Sequence, residues 1–187
     1  LKSLEFSGSY LLHFINDILE INRLESDKIQ VEKISFNLKE LIENITISFK
    51  EFIHENNTKC HLQIDSSISD YLKGDPTKLS QIVINLLNNA IKFSKNGDVW
   101  LSIHKKSESN NKITLSFEVK DNGIGFDQKF AEKIFVIFQR LHNKTEYSGT
   151  GIGLAICKKI VENHRGYIFA EGNPEIGTTI IIYLPVA

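Results

Sequence analysis

Cysteine is scarce in this chain and long apolar runs are absent. The two thiols, Cys60 and Cys157, stand far apart and have no flanking ligand pattern. Metal sites need clustered ligands, and a secreted scaffold of this size usually carries more cysteines, so the pair reads as reduced, buried thiols of a cytosolic protein. No apolar stretch reaches the length of a bilayer span, and no signal peptide opens the chain. Neither sign of charge dominates. With 22 basic and 23 acidic residues and a net charge of -1, there is no electrostatic case for nucleic acid or an anionic membrane as a general partner. A single anion pocket is untouched by that balance. Internal repeats and low-complexity tracts are missing as well. The chain starts at Leu1 rather than Met, so it is expected to be a piece of a longer protein, and an anchor or sensor domain ahead of it is compatible with the composition.

What is present is a chain of 187 residues, 41% hydrophobic and 24% charged, enough for one well-buried domain with an appendage and short for two. In the opening segment, apolar residues recur at Leu4, Leu11 and Ile18, at Phe14 and Ile21, and at Leu12 and Leu19. Such heptad rows cover more of a helix than one stripe, and so broad a face needs neighbours on several sides. The pattern predicts a helix from a bundle whose other members lie upstream or in a second protomer. Alternation in KIQVEKISF, residues 28–36, predicts a strand. Asn37 then caps a helix from Leu38 to about His54, with Leu38, Leu41, Ile42, Ile45 and Phe49 on one side. A strand is expected over 59–64. Asp75 and Pro76 supply a cap and a first-turn proline for a helix to about Lys95. Strands follow from Val99 and from Lys112, joined by the polar loop 107–111, and then a short helix over 128–135. The aperiodic polar stretch from Gln139 to Gly149 reads as a mobile loop. A helix from about Thr150 to Asn163 and strands over 166–172 and 177–185 complete the chain. The fold class expected is α+β, a two-layer sandwich of about five mixed strands with helices on one face.

Four blocks carry chemistry. The first, NLLNNAIKF, puts Asn85 and Asn89 one turn apart on one helix face, with Lys92 three residues on. Paired amide oxygens suit Mg²⁺, a hard cation that keeps waters and substrate phosphates in its shell, and Lys92 supplies positive charge for a phosphate. The plainer reading is a solvated helix surface. The second block, Asp121-Asn122-Gly123-Ile124-Gly125-Phe126, ends a strand. An ionised Asp121 only accepts hydrogen bonds, so it would favour adenine, which presents an amino donor, over guanine, which presents a carbonyl. Such a charge-assisted bond contributes about 1.5–3 kcal/mol, enough to discriminate bases. Gly123 and Gly125 would let the backbone approach the ring. By itself this block is an ordinary DNG turn.

The third block, Gly149-Thr150-Gly151-Ile152-Gly153-Leu154, opens the last helix and bares backbone N–H groups at its positive end, a seat for phosphates. It lacks the preceding strand of a dinucleotide fingerprint and the G-K-[ST] ending of a P-loop, and one glycine cluster is weak support. The fourth runs Phe135-Val136-Ile137-Phe138-Gln139-Arg140. Its phenylalanines either anchor the start of the polar loop or simply fill the core, and Arg140 is placed to reach outer phosphates when the loop closes.

In this order and spacing the blocks resemble the N, first G, F and second G boxes of histidine kinases, whose ATP-binding fold is the Bergerat type shared with gyrase, Hsp90 and MutL ATPases. The resemblance runs from Ser7 to Pro185. Within it, SGSYLLHFINDILEINRLES resembles the second helix of the dimerisation and phosphoacceptor hairpin, and GDPTKLSQIVINLLNNAIKFS is close to the form common in hybrid kinases, which carry a receiver domain after the catalytic one. The resemblance implies two parts: residues 1–27 from the hairpin and residues 28–187 as the ATP-binding catalytic domain. It implies ATP and Mg²⁺ as cofactors, with Asn89 as metal ligand, Asn85 beside it, and Lys92 near the phosphates. Asp121 becomes the adenine acceptor, flanked by Gly123 and Gly125. Gln139 to Ser148 becomes a lid hinged at Gly149, Gly151 and Gly153, with Arg140, Thr150 and Leu154 beside the nucleotide. Thr178, in the GTT that opens the last strand, is implied to lie near the adenine. Arg165 stands where family members commonly have a second glycine, and a local turn change without loss of ATP binding is expected.

The activity implied is transfer of the γ-phosphate to a histidine on the hairpin's first helix, for relay to a response-regulator aspartate. That histidine should precede Leu1. The match to H-E-x-x-T at His54 is a decoy, because it lies after the hairpin at a helix end. His13, His61, His104, His142 and His164 are scattered and read as structural or solvated. The implied partners are ATP, the protein's own phosphoacceptor domain, a response regulator or fused receiver domain, and a second copy in a homodimer. The domain is expected in the cytoplasm, whether or not the whole protein is membrane-anchored. ATP-hydrolysing members of the fold place a Glu four residues before the metal-binding Asn. Here that position is Asn85, whose carboxamide cannot serve as general base, which favours transfer to histidine over water. The other alternative is a signalling module that has lost nucleotide binding, and the intact Asn89, Asp121 and hinge glycines argue against it.

Overall fold

A computed structural model of the chain describes residues 31–109, 112–141 and 149–186, together with Ile15, Leu19 and Tyr147. The expected N-terminal helix, the start of the first strand, the loop tip at 110–111 and most of the expected lid lie outside the described residues. Ile15 and Leu19 are both helical and exposed.

Strand β1 (Ile34–Asn37) pairs antiparallel with β3 (Tyr71–Gly74) in a small separate sheet. The alternation over 28–36 predicts a longer strand, but the ladder cannot outrun a four-residue partner. Past its end, the N–H of Glu32 instead donates to Asp75 Oδ2 at 3.2 Å. Asn37 caps α1 (Leu38–Ser48), its side chain accepting from Glu40 N–H at 2.9 Å, and Leu38, Ile42 and Ile45 are buried. The helix expected to continue to His54 is broken at Phe49, beyond which α2 (Lys50–Glu55) begins. Thr46 and Ser48 turn their hydroxyls back onto the carbonyls of Ile42 and Ile45, each at 2.6 Å, and that side-chain competition tightens the last turn.

Strand β2 is Lys59–Ile64. Helix α3 (Pro76–Phe93) starts as expected: Asp75 accepts from Lys78 N–H at 2.9 Å, and proline occupies the first turn. It buries Leu79, Ile82, Val83, Leu86, Leu87, Ala90 and Ile91, each a side chain whose removal from water stabilises the fold by up to about 3 kcal/mol. Strands β4 (Asp98–Ser109) and β5 (Lys112–Asp121) form a hairpin with a register shift between Lys105 and Ser107. Two 3₁₀ turns, Gln128–Phe130 and Lys133–Phe135, replace the one short helix expected there. The side chain of Gln128 ties this segment to the Ala170 carbonyl and the Gly172 N–H, at 3.2 and 2.8 Å. Helix α4 (Gly153–Asn163) starts later than Thr150 because Gly149 and Gly151 hold positive φ values of 148° and 74°. At its other end Arg165 takes the left-handed conformation itself, φ 59°, while the N–H of Gly166 closes onto the Val161 carbonyl at 2.9 Å.

Strands β6 (Tyr167–Asn173) and β7 (Gly177–Val186) finish a five-stranded sheet of order β2-β4-β5-β7-β6. Only β2 and β4 run parallel, so the sheet is mixed. Alternate residues point to one face: Val99, Leu101 and Ile103 from β4, Leu115, Phe117 and Val119 from β5, Ile180, Ile182 and Leu184 from β7. These meet the apolar faces of α1, α3 and α4 in one core. The expected two-layer α+β sandwich is therefore the observed one. Among the described residues no helix is long and apolar enough to cross a membrane.

Candidate functional site

A cavity of about 790 Å³ opens between α3, α4, the end of β5 and the segment leading into α4. At one end stands Asp121, the last residue of β5 and only 5% exposed. The β5–β7 register sets it opposite Thr178. Oδ1 of Asp121 accepts from the N–H groups of Gly123 at 2.9 Å and Thr178 at 3.3 Å. Both donors fall on one oxygen, and Oδ2 receives no hydrogen bond from the described residues. Burial pushes the carboxyl pKa up to about 6, against the opposing pull of the two backbone donors. Val119, Ile124, Phe126 and Ile180 wall this end, and Gly125 and Thr178 line it.

Gly123 does not line the cavity. It packs on the end of α3, where a Cβ would lie 2.2 Å from the Phe93 carbonyl oxygen, so it shapes the turn and lends Asp121 an N–H. A glycine not singled out from the sequence matters more. Gly177, at φ 134°, passes so close to β5 that a Cβ would stand 1.9 Å from the carbonyl oxygen of Asp121. Its only sequence signal is its place before the two threonines that open β7.

At the other end, the face of α3 turned away from the core presents Asn85, Asn89 and Lys92. Lys92 Nζ lies 3.5 Å from Asn89 Oδ1 and 4.3 Å from the centre of the Phe93 ring. Burial, with the charge of Arg140 nearby, lowers the Lys92 pKa to about 8. Helix α4 begins here too. Ile152 offers it no side-chain cap and its first turn holds no acid, so the helix points a bare positive end, with Gly153 and Leu154, at the cavity. Gly149, Thr150 and Gly151 line the approach.

The base of the expected lid is tied across. Phe138 N–H donates to Gly151 O at 3.0 Å, and Arg140 spans the loop, Nη1 donating to Gly149 O at 2.9 Å and Nη2 to Tyr147 O at 2.5 Å. Arg140 lines the cavity while giving these two donors to loop carbonyls. The rings of Tyr147 and Phe93 pack with centroids 4.9 Å apart, a contact not foreseen from the sequence although both are aromatics within or beside the motifs.

Among the described lining residues Asp121 is the one carboxylate, there is no histidine, and the cations Lys92, Lys95 and Arg140 are present. Among the described residues no cluster of three His, Cys, Asp or Glu could hold a metal ion. The amide oxygens of Asn85 and Asn89 nonetheless fit a hard cation that completes its shell with water and ligand oxygens.

Residues 74–187 match the family described as Histidine kinase-, DNA gyrase B-, and HSP90-like ATPase. The chain belongs to this family. Among its relatives, signal transduction histidine-protein kinase BarA of Escherichia coli is 32% identical over 186 residues, 98% of this chain and 20% of BarA. Full-length ShkA in complex with AMPPNP superimposes with a TM-score of 0.86 at 25% identity, over 100% of this chain and 38% of that one. Histidine kinase ThkA in complex with response regulator protein TrrA gives a TM-score of 0.69 at 28% identity, over 95% of this chain and 48% of that one. The chain thus spans about a fifth of BarA's length.

Proposed function

We propose that this chain is the ATP-binding catalytic part of a sensor histidine kinase, which transfers the γ-phosphate to a histidine on its dimerisation hairpin for relay to a response-regulator aspartate. The observation that carries the reading is the single cavity with a buried carboxylate at one end and two carboxamides, a lysine and an open helix end at the other. In this reading Asp121 Oδ2 accepts from the amino group of adenine, while Oδ1 is held by Gly123 and Thr178. The triphosphate lies toward Lys92 and the first turn of α4, whose N–H groups and positive end suit anionic oxygens. Asn89 and Asn85 would hold Mg²⁺, which when bound supplies charge neutralisation across the phosphates. Arg140 and the glycine hinge would bring the lid over the outer phosphates.

Transfer rather than hydrolysis is supported by what surrounds the phosphate end. The described lining residues place no carboxylate or histidine there to activate water, and Asn85 stands where the hydrolases have their base. The nucleophile is therefore supplied from elsewhere, and the domain contributes positioning and charge stabilisation. ThkA, solved in complex with response regulator protein TrrA, supports a response regulator as the downstream partner. A partner hairpin domain and a second copy of the whole protein complete this reading.

Titration with a fluorescent ATP analogue and Mg²⁺ tests the reading. Saturable binding below millimolar concentration is expected, and its absence would leave a silent signalling module. Incubation with γ-labelled ATP is expected to leave this chain unlabelled and to label an added hairpin domain at an acid-labile site. Stoichiometric label on this chain would instead make His54 or another of its own residues the acceptor.

A further inference from the structure

We propose that Asn122 is a positioning residue, whose side-chain oxygen closes the end of the β4–β5 ladder and so holds the turn that keeps the Gly123 N–H on Asp121. This role rests on the nucleotide-binding reading above. Asn122 follows the buried carboxylate in the chain, yet it is exposed and takes no part in lining the cavity. The hairpin register ends with Val99 opposite Asp121, which makes Asp98 and Asn122 the next facing residues. In an antiparallel ladder a hydrogen-bonded pair exchanges both main-chain N–H···O bonds. Here one of the two is regular, the N–H of Asn122 donating to the Asp98 carbonyl at 3.3 Å. The other is not. The N–H of Asp98 is taken at 2.7 Å by Asn122 Oδ1, in place of the main-chain carbonyl. The ladder thus ends with the Asp98 N–H satisfied while the backbone is free to leave it at Asn122. Gly123 then brings its N–H back to Asp121 Oδ1 at 2.9 Å. A chain still extended at Asn122 would carry Gly123 away from that oxygen.

The neighbours of Asn122 are fitted to this arrangement. Gly97 leaves room for the side chain, since a Cβ there would lie 2.3 Å from Asn122 Oδ1. Gly177 leaves room for the main chain, its own Cβ being due 2.9 Å from the Asn122 Cα. Asp98 is fixed from the far side, because its Oδ1 lies 2.7 Å from Nε2 of His61 on β2. An exposed side chain is ordinarily free to vary within about 0.5 kcal/mol. Asn122 is not an ordinary one, because its acceptor completes a ladder that ends at the carboxylate reading the base. Only an acceptor can serve there, since the group it meets is a main-chain N–H.

The test compares wild type with Asn122→Ala, which removes the acceptor, and with Asn122→Asp, which keeps an oxygen in the same place. Each is titrated in Mg²⁺ with fluorescent analogues of ATP and of GTP. The ratio of the two affinities is read, because the charge added by Asn122→Asp acts on both nucleotides alike. Asn122→Ala is expected to lower the preference for ATP about fivefold, and Asn122→Asp to keep it within about twofold of wild type. In the nucleotide-free protein, the amide protons of Asp98 and Gly123 should resist solvent exchange in wild type and Asn122→Asp. Both should exchange about tenfold faster in Asn122→Ala. Gly97→Ala, which drives a Cβ into the space of Oδ1, should reproduce the effect of Asn122→Ala and carries the comparison should that variant fail to fold. A preference for ATP that Asn122→Ala leaves intact, or that both Asn122 variants lose equally, overturns the proposal. So does a wild type whose Asp98 amide exchanges freely. Wild type that binds neither nucleotide overturns the functional reading instead, and exchange at Gly123 still decides whether Asn122 holds the turn.

Discussion

Asp121 combines burial with a charge in neutral solution, and two measurable consequences follow from that conflict. Its pKa rises from 3.8 to about 6. Between about pH 4 and pH 6 the native chain holds a proton that the unfolded chain has released, so this group's contribution to stability falls as pH rises through that window and stays low above it. The gap corresponds to roughly 3 kcal/mol at most, and Asp121→Asn is expected to stabilise the nucleotide-free protein by about 1–3 kcal/mol at pH 7.5 in urea denaturation. The same variant should lose selection for adenine. Lys92, at the opposite end, titrates near 8 in the other sense, its burial and the Arg140 charge favouring the neutral amine. ATP affinity is therefore expected to be greatest between about pH 6 and pH 8, falling by about tenfold or more on the acid side as Asp121 becomes a donor, and falling again on the alkaline side as Lys92 discharges. Anisotropy titrations across pH check this: Asp121→Asn should abolish the acid limb and Lys92→Met the alkaline limb. A profile unchanged by either substitution would remove both residues from the nucleotide.

Elements whose signals lie next to them in the chain were readable from the sequence. Asn37 and the Asp75-Pro76 pair mark the starts of α1 and α3, and alternating apolar residues mark β4, β5 and β7, so the scaffold holding Asn89 and Asp121 could be drawn in advance. Strand β3 could not. Its four residues bury one side chain, Leu72, and their extended form depends on pairing with β1. The break at Phe49 involves no glycine or proline, only hydroxyls that prefer their own backbone. Gly177 was invisible for a different reason, since its need for glycine arises where β7 crosses the carbonyl of Asp121, a residue distant in sequence. Gly177→Ala should consequently destabilise by about 2 kcal/mol or more, from a positive φ and a backbone clash together, and should weaken ATP binding by disturbing Asp121 and Thr178. The end of α4 offers the opposite case. Arg165 is exposed and left-handed, and Arg165→Gly should stabilise by about 0.5–1 kcal/mol in chemical denaturation without altering nucleotide affinity. A loss of stability there would mean that the arginine side chain makes a contact outweighing its backbone strain.

Across the described residues, the cavity is where α3, α4, the β5–β7 ladder and the base of the lid converge. The chain's net charge of -1 conceals a local excess of cations in the cavity, where Lys92 and Arg140 lie near one another and the positive end of α4 opens, with Lys95 also on the lining. The Lys92 ammonium is disfavoured first by burial and then by the charge of Arg140 beside it, which together lower its pKa to about 8. A nucleotide that touches Asp121 at one end and this group at the other relieves the repulsion and ties the elements together, so ligand and fold are linked. At a hundred times its dissociation constant, Mg²⁺-ATP should add about 2.7 kcal/mol to global stability, a rise of about 5–10 °C in Tm for a chain of this length. GTP at the same concentration should give little of that rise, because its carbonyl meets Asp121 where adenine presents a donor. ATP in EDTA should give an intermediate rise, since the base is still read while the phosphates lose their metal. Thermal unfolding with the three additions checks all of this in one experiment. Equal shifts with ATP and GTP would mean that Asp121 does not read the base, and equal shifts with and without Mg²⁺ would mean that the carboxamides of α3 hold no metal.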